Sequence, residues 1–196
     1  MNIENLPKQK VYLVDMDGVL AQYYNQFLKR WRQEYPDRDF IHEEDLQAHD
    51  LDKSYPEAYR DDINLIISAP DFFESLDPLP GAIEGIKELA KHNKVFICTA
   101  PSIHNTRCAH GKTKWVRKHL GKEWLRNLII TKDKTVVHGD FLIDDKPDIK
   151  GHLNPSWEHI LYDQSYNRRE DQSHKKRMTW KKGLFELEEN EFIKQS

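Results

Sequence analysis

The stretch from Val11 to Gly18 constrains this chain more than any other. Val11, Tyr12, Leu13 and Val14 are β-formers in a short apolar run, which suits a buried strand better than a helix. Asp15 follows at once, Asp17 two residues later, and Gly18 directly after that. Two ionised carboxylates at i and i+2 repel each other, and burying either costs several kcal/mol, to order of magnitude, unless a cation compensates. A divalent metal is the simplest compensation, and Gly18 lets the backbone turn sharply beside the acids. The plainer alternative is a solvated strand end whose aspartates cap the next turn.

The rest of the chain separates into two textures. Tyr24, Phe27, Leu28, Trp31 and Tyr35 share one helix face, which Pro36 ends. Residues 37–62 are acidic and contain His42 and His49, and Ile63, Leu65, Ile66 and Ile67 predict a further short helix or two. Between 21 and 77 no strand pattern is convincing. From residue 78 onward helix and strand patterns alternate. Ile83, Ile86, Leu89 and Ala90 form a helix face, Val95 to Thr99 a strand, and His110 to Leu120 a helix. Leu128 to Thr131, Phe141 to Asp144 and His159 to Tyr162 read as further strands. This rhythm predicts an α/β core with a mainly parallel sheet flanked by helices. Residues 1–20 and 78–196 would form that core, and 21–77 an inserted helical cap. The tail from Arg168 reads as a solvated surface helix, its basic cluster balanced by later glutamates.

In open α/β sheets ligands sit beyond the carboxyl ends of the strands. Four strand ends here carry matching chemistry. The first supplies Asp15 and Asp17, the second Thr99 followed by Ala100, the third Lys132, Asp133 and Lys134, and the fourth Asp144 and Asp145. The acids can hold magnesium, while a hydroxyl and an ammonium take phosphate oxygens.

These residues resemble the four motifs of haloacid-dehalogenase (HAD) superfamily phosphatases, and the fold implied is their Rossmann-like core. More narrowly, Val14 to Ala21, Ala69 to Phe73, Pro78 to Ala82, Val95 to Pro101, Lys114 to Val116, Thr131 to Val137 and Leu142 to Ile149 are similar to the 5′(3′)-deoxyribonucleotidases. The resemblance implies a magnesium-dependent phosphatase acting on deoxyribonucleoside monophosphates, with phosphate at the 5′ and also the 3′ or 2′ position. It implies Asp15 as nucleophile through an aspartyl-phosphate, and Asp17 as acid and then base. It implies a metal held by the Asp15 carboxylate, the Asp17 backbone carbonyl and Asp145, with Asp144 behind them orienting Lys134 or a metal-bound water. Thr99 and Lys134 would hold the phosphate. Ala100, where relatives often carry serine, would contribute only its N–H, and Lys132 stands where a relative carries arginine, losing a bidentate fork. Tyr23 matches a nucleotide-contacting position, and Phe73 with Phe72 lies near the hinge, where base contact competes with plain packing.

Composition bounds the rest. A net charge of −3 gives no global pull toward nucleic acid or anionic membrane, and no apolar run approaches membrane-spanning length. Two cysteines, Cys98 and Cys108, without paired spacing suit a reducing cytoplasm. The resemblance implies a small nucleotide as partner, composition adds the expectation of no stable nucleic acid and no membrane, and a helical cap can also mediate a homodimer. Gly111-Lys112-Thr113 lacks the upstream glycine of a phosphate loop. Lys112, Lys114, Arg117, Lys118 and Lys122 read as a solvated basic helix face. His104, His110 and the cysteines match no zinc spacing. Two competing functions stay open: a HAD phosphatase for another small phosphate or a nucleic-acid 3′-phosphate end, and a non-catalytic nucleotide-binding protein.

Overall fold

The computed structural model describes residues 9–168, 175–181 and 184–187. Strand β1 (Val11–Val14) leads directly into the acidic turn. There follow helices α1 (Tyr23–Glu34), α2 (Leu51–Ser54) and α3 (Arg60–Ile67), with no strand among them. Helix α4 (Ala82–His92), strand β2 (Lys94–Thr99), helix α5 (Cys108–His119), and strands β3 (Leu128–Ile130), β4 (Phe141–Asp144) and β5 (Glu158–Tyr162) then alternate broadly as the periodicity predicts.

The sheet runs in the order β3-β2-β1-β4-β5 and continues through β6 (Lys176–Lys181) and β7 (Leu184–Leu187). All neighbours are parallel except β6 and β7. The expected α/β class with a mainly parallel sheet is therefore the class observed. The tail differs from expectation: Lys176 to Lys181 is a sheet strand, not part of a solvated helix. Its alternation explains why. Met178 and Trp180 are buried while Arg177 and Thr179 beside them are half-buried, a period of two over 177–180 that a charge count over the tail conceals. Trp180 fills the space at Gly85 of α4, where a Cβ would lie 2.2 Å from its ring, and its Nε1 donates to the Val19 carbonyl at 2.8 Å.

Side chains leave the central strands alternately. Tyr12, Val14, Val95, Ile97, Phe141 and Ile143 join a large cluster with α4, α5 and the α1–α3 segment. Leu13, Cys98 and Leu142 meet Trp157 on the other face. In the α1–α3 segment, Phe27 and Trp31 are fully buried and pack against each other and against Tyr24 and Tyr55 in tilted and edge-on contacts at centroid distances of 5.4–5.9 Å. Arg38 lies over Tyr35 and Tyr59 and pairs with Asp62 at 2.6 Å. No helix among the described residues is long and apolar enough to cross a membrane.

The strand order reverses between β1 and β4, since β2 follows on one side of β1 and β5 on the other side of β4. Crevices at such switch points, outside the carboxyl ends, are where α/β sheets place ligands. Asp15 sits just past β1 and Asp144 ends β4, so the fold alone brings the first and fourth acidic motifs together.

Candidate active site

The turn after β1 is tight. Leu20 and Ala21 N–H groups both return to the Met16 carbonyl at 2.8 Å, and Gly18 adopts φ +73°. The glycine is needed for space as well as for conformation, because a Cβ there would lie 2.3 Å from Asp145 Oδ2. Lys134 arrives from the β3 side on a single 3-10 turn. Asp133 caps that turn by accepting from the Thr135 N–H at 2.9 Å, and is itself held by the His152 N–H at 2.8 Å.

Lys134 is buried and lies 2.7 Å from Asp15 Oδ1 and 2.5 Å from Asp144 Oδ2. Asp144 Oδ1 accepts from the Lys146 N–H at 2.9 Å. Thr99 is fully buried at the end of β2. Asp15, Asp144 and Asp145 each offer an oxygen within 4.8 Å of the others, the only such acidic, histidine or cysteine group among the described residues. Asp17 Oδ1 and Asp145 Oδ1 are buried without a hydrogen-bond donor. Orphaned carboxylate oxygens beside a triad of acids are the donor set a hard divalent cation needs, so these residues fit magnesium.

Sequence reasoning undervalued Lys112. It is fully buried, the reverse of a solvated helix face. Its ammonium donates to Thr99 Oγ1 and to the Ala100 carbonyl, both at 2.6 Å, pairs with Asp17 Oδ2 at 2.8 Å, and lies 5.3 Å from the Phe73 ring centre. The available signal was its helical register. Lys112 falls three and four residues before the buried Trp115 and Val116, and four after the buried Cys108, so it shares their face. Because Lys112 donates to Thr99, the threonine hydroxyl keeps its own proton free for another acceptor.

The two leading acids are pushed apart in affinity for protons. Burial works to raise Asp15, but the charges of Lys134 and Lys112, with a Lys134 hydrogen bond and the Met16 N–H, hold it below the ordinary carboxylate range. Burial raises Asp17, helped by the Asp15 charge and opposed by Lys112. Asp145 is pushed up to about 7, chiefly by burial and then by Asp144 and Asp15, against the pull of His49.

The segment between α1 and α2 reaches over this end of the sheet. His49 places Nε2 3.8 Å from Asp145 Oδ2, while its Nδ1 is 3.0 Å from Asp50 Oδ1. Burial would lower the imidazole's proton affinity, but Asp50 and Asp145 leave it raised. Tyr23 is half-buried and meets Phe72 edge-on at 5.4 Å. Phe72 and Phe73 are themselves 0% and 2% exposed, so both act first as packing beneath Lys112 and Tyr23. Cys98 and Cys108 are buried free thiols, Cys108 accepting from the Ser102 N–H at 3.2 Å.

Residues 9–184 match the family model described as 5′ nucleotidase, deoxy (Pyrimidine), cytosolic type C protein. The chain is 43% identical over 162 residues to the mitochondrial 5′(3′)-deoxyribonucleotidase of Homo sapiens, covering 79% of this chain and 71% of that protein. It is 38% identical over 162 residues to the cytosolic-type 5′(3′)-deoxyribonucleotidase of Homo sapiens, covering 80% and 81%. Among solved structures, a haloacid dehalogenase-like hydrolase from Bacteroides fragilis shares the fold with a TM-score of 0.53 at 13% identity, over 90% of this chain and 99% of that one.

Proposed function

Since the chain belongs to the 5′(3′)-deoxyribonucleotidase family and is a phosphoric monoester hydrolase, we propose that it hydrolyses deoxyribonucleoside monophosphates, at the 5′ and also the 3′ or 2′ position, through an aspartyl-phosphate. The observation that carries this reading is the convergence of Asp15, Asp17, Thr99, Lys112, Lys134 and Asp145 at one switch point.

Asp15, held ionised by two ammoniums, attacks phosphorus in line; its carboxylate oxygen forms the new P–O bond as the ester P–O bond breaks. Asp17, whose proton affinity is raised, hands a proton to the departing nucleoside oxygen. It then takes one from the water that cleaves the acyl phosphate. Thr99, Lys112 and Lys134 hold the phosphoryl oxygens and stabilise their charge as it spreads in the trigonal transition state. Magnesium, held by Asp15, the Asp17 carbonyl and Asp145, would neutralise phosphoryl charge when bound. Residues 21–77 act as the cap, with Tyr23 and His49 nearest the nucleoside and Phe73 supporting from below. The two buried free thiols fit a reducing compartment such as the cytosol.

The test is phosphate release from dUMP, dTMP, UMP, deoxynucleoside 3′-phosphates and sugar phosphates, with magnesium and then with chelator. Preferred turnover of deoxynucleotides, abolished by chelator, supports the reading. Preference for sugar phosphates overturns the substrate, and tight binding without turnover overturns the catalysis.

A further inference from the structure

Four consecutive side chains after β5 each grip a different part of the site. Gln164 Nε2 donates to the Gly18 carbonyl at 2.7 Å, and Ser165 Oγ donates to the Glu43 carbonyl on the α1–α3 segment. The Tyr166 hydroxyl donates to Asp145 Oδ2, and Asn167 Nδ2 donates to the Asp145 carbonyl at 2.9 Å. Three of these bonds satisfy backbone carbonyls. Tyr166 alone reaches a carboxylate, and that carboxylate belongs to the acidic triad.

The phenol is 7% exposed, and His49 meets its ring edge-on at 5.8 Å. The missing side chain at Gly18 makes the room, since a Cβ there would lie 3.2 Å from the hydroxyl and 2.3 Å from Asp145 Oδ2. With Oδ2 taken by the phenol, Oδ1 stays buried with no donor. The last torsion of an aspartate is broad and two-fold, so a carboxylate left alone presents either oxygen over a range of angles. One donor fixed on Oδ2 removes that freedom and leaves Oδ1 as the oxygen with no donor of its own. Partners of this kind are worth about 10–100-fold in metal affinity.

We propose that Tyr166 is a positioning residue for the divalent cation, aiming Asp145 Oδ1 at the ion by holding Oδ2. This rests on the reading of Asp145 as a metal ligand. The experiment titrates the full-length protein with Mn2+, reading free ion by electron paramagnetic resonance, for wild type and Tyr166→Phe. Thermal melts in chelator and inhibition by inorganic phosphate at saturating Mn2+ run alongside. The dissociation constant for Mn2+ should rise about 10-fold in Tyr166→Phe, with phosphate inhibition unchanged. Should the variant also melt lower, the same substitution in an Asp145→Asn background decides. Positioning predicts no further loss of Mn2+ affinity there, whereas a general packing defect weakens binding equally in both backgrounds and overturns the proposal. Equal Mn2+ affinity in wild type and Tyr166→Phe also overturns it and leaves the phosphatase reading standing. A wild type that binds no Mn2+ overturns the metal reading itself.

Discussion

The aromatic interior of the α1–α3 segment and the carboxyl end of the sheet are both buried, yet they are built on opposite terms. In the first, the polar handles of Tyr24, Tyr55 and Trp31 are answered. Tyr24 donates to the Ile41 carbonyl at 2.6 Å and shares a 2.9 Å bond with Tyr55, and Trp31 donates to the Asp39 carbonyl at 3.1 Å. In the second, the four carboxylates of Asp15, Asp17, Asp144 and Asp145 face two buried lysines and the His49 imidazole, and Asp17 Oδ1 and Asp145 Oδ1 are left without donors. One region is closed to further chemistry. The other is short of positive charge, and its shortage marks it as a place where something else binds. Stability and activity should therefore respond to different residues.

The sharpest separation comes from Asp15→Asn. It keeps the shape and removes the oxygen proposed to attack phosphorus, so turnover should drop by roughly 10³-fold or more while the circular dichroism spectrum stays that of a folded chain. Near-normal metal-dependent turnover in that variant would end the nucleophile assignment. Trp31→Ala probes the opposite region. Deleting a fully buried indole should cost about 3–5 kcal/mol of stability in urea titrations, with turnover per folded molecule reduced far less than by Asp15→Asn. Lys112→Met lies between them. It removes an ammonium from Thr99 and Asp17, and about 10–100-fold weaker inhibition by inorganic phosphate is expected, roughly 1.4–2.8 kcal/mol.

A pH experiment sharpens the same contrast. Asp145 binds its proton more tightly folded than unfolded, so in chelator its contribution to stability is full below the ordinary carboxylate range and is lost as pH rises toward about 7. The difference in melting temperature between wild type and Asp145→Asn should follow that window, and added magnesium should flatten it. A difference that does not change with pH would show the carboxylate to be ionised throughout. Tyr24→Phe is expected to have the smallest effect, about 1 kcal/mol from the lost hydrogen bonds. A change in phosphate inhibition in that variant would blur the separation between the two regions.

Much of the sheet was legible because β1, β2, β4 and β5 are short apolar runs bounded by polar turns, and the pattern at Tyr24 to Tyr35 is helical without ambiguity. The clustering of Asp15, Thr99, Lys134 and Asp145 was legible for a topological reason, since strand ends in a parallel sheet share one edge. Lys112 and Tyr166 were not. A lysine on a helix rich in lysines carries no mark of burial until its register against Trp115 is known, and the partner of Tyr166 is 21 residues away in a different loop. Strand β6 was hidden because its lysines and arginine dominate a charge count while Met178 and Trp180 set its face.

Trp180 joins the far side of the sheet to the start of the chain. Its indole is wedged against the one residue of α4 without a side chain and tethers the carbonyl two positions past Asp17. A clone shortened before β6, or a fusion partner that tugs on that strand, would thus be felt in the turn that carries Asp15 and Asp17. Expression designs that treat this end as dispensable risk preparing an enzyme that folds but catalyses poorly.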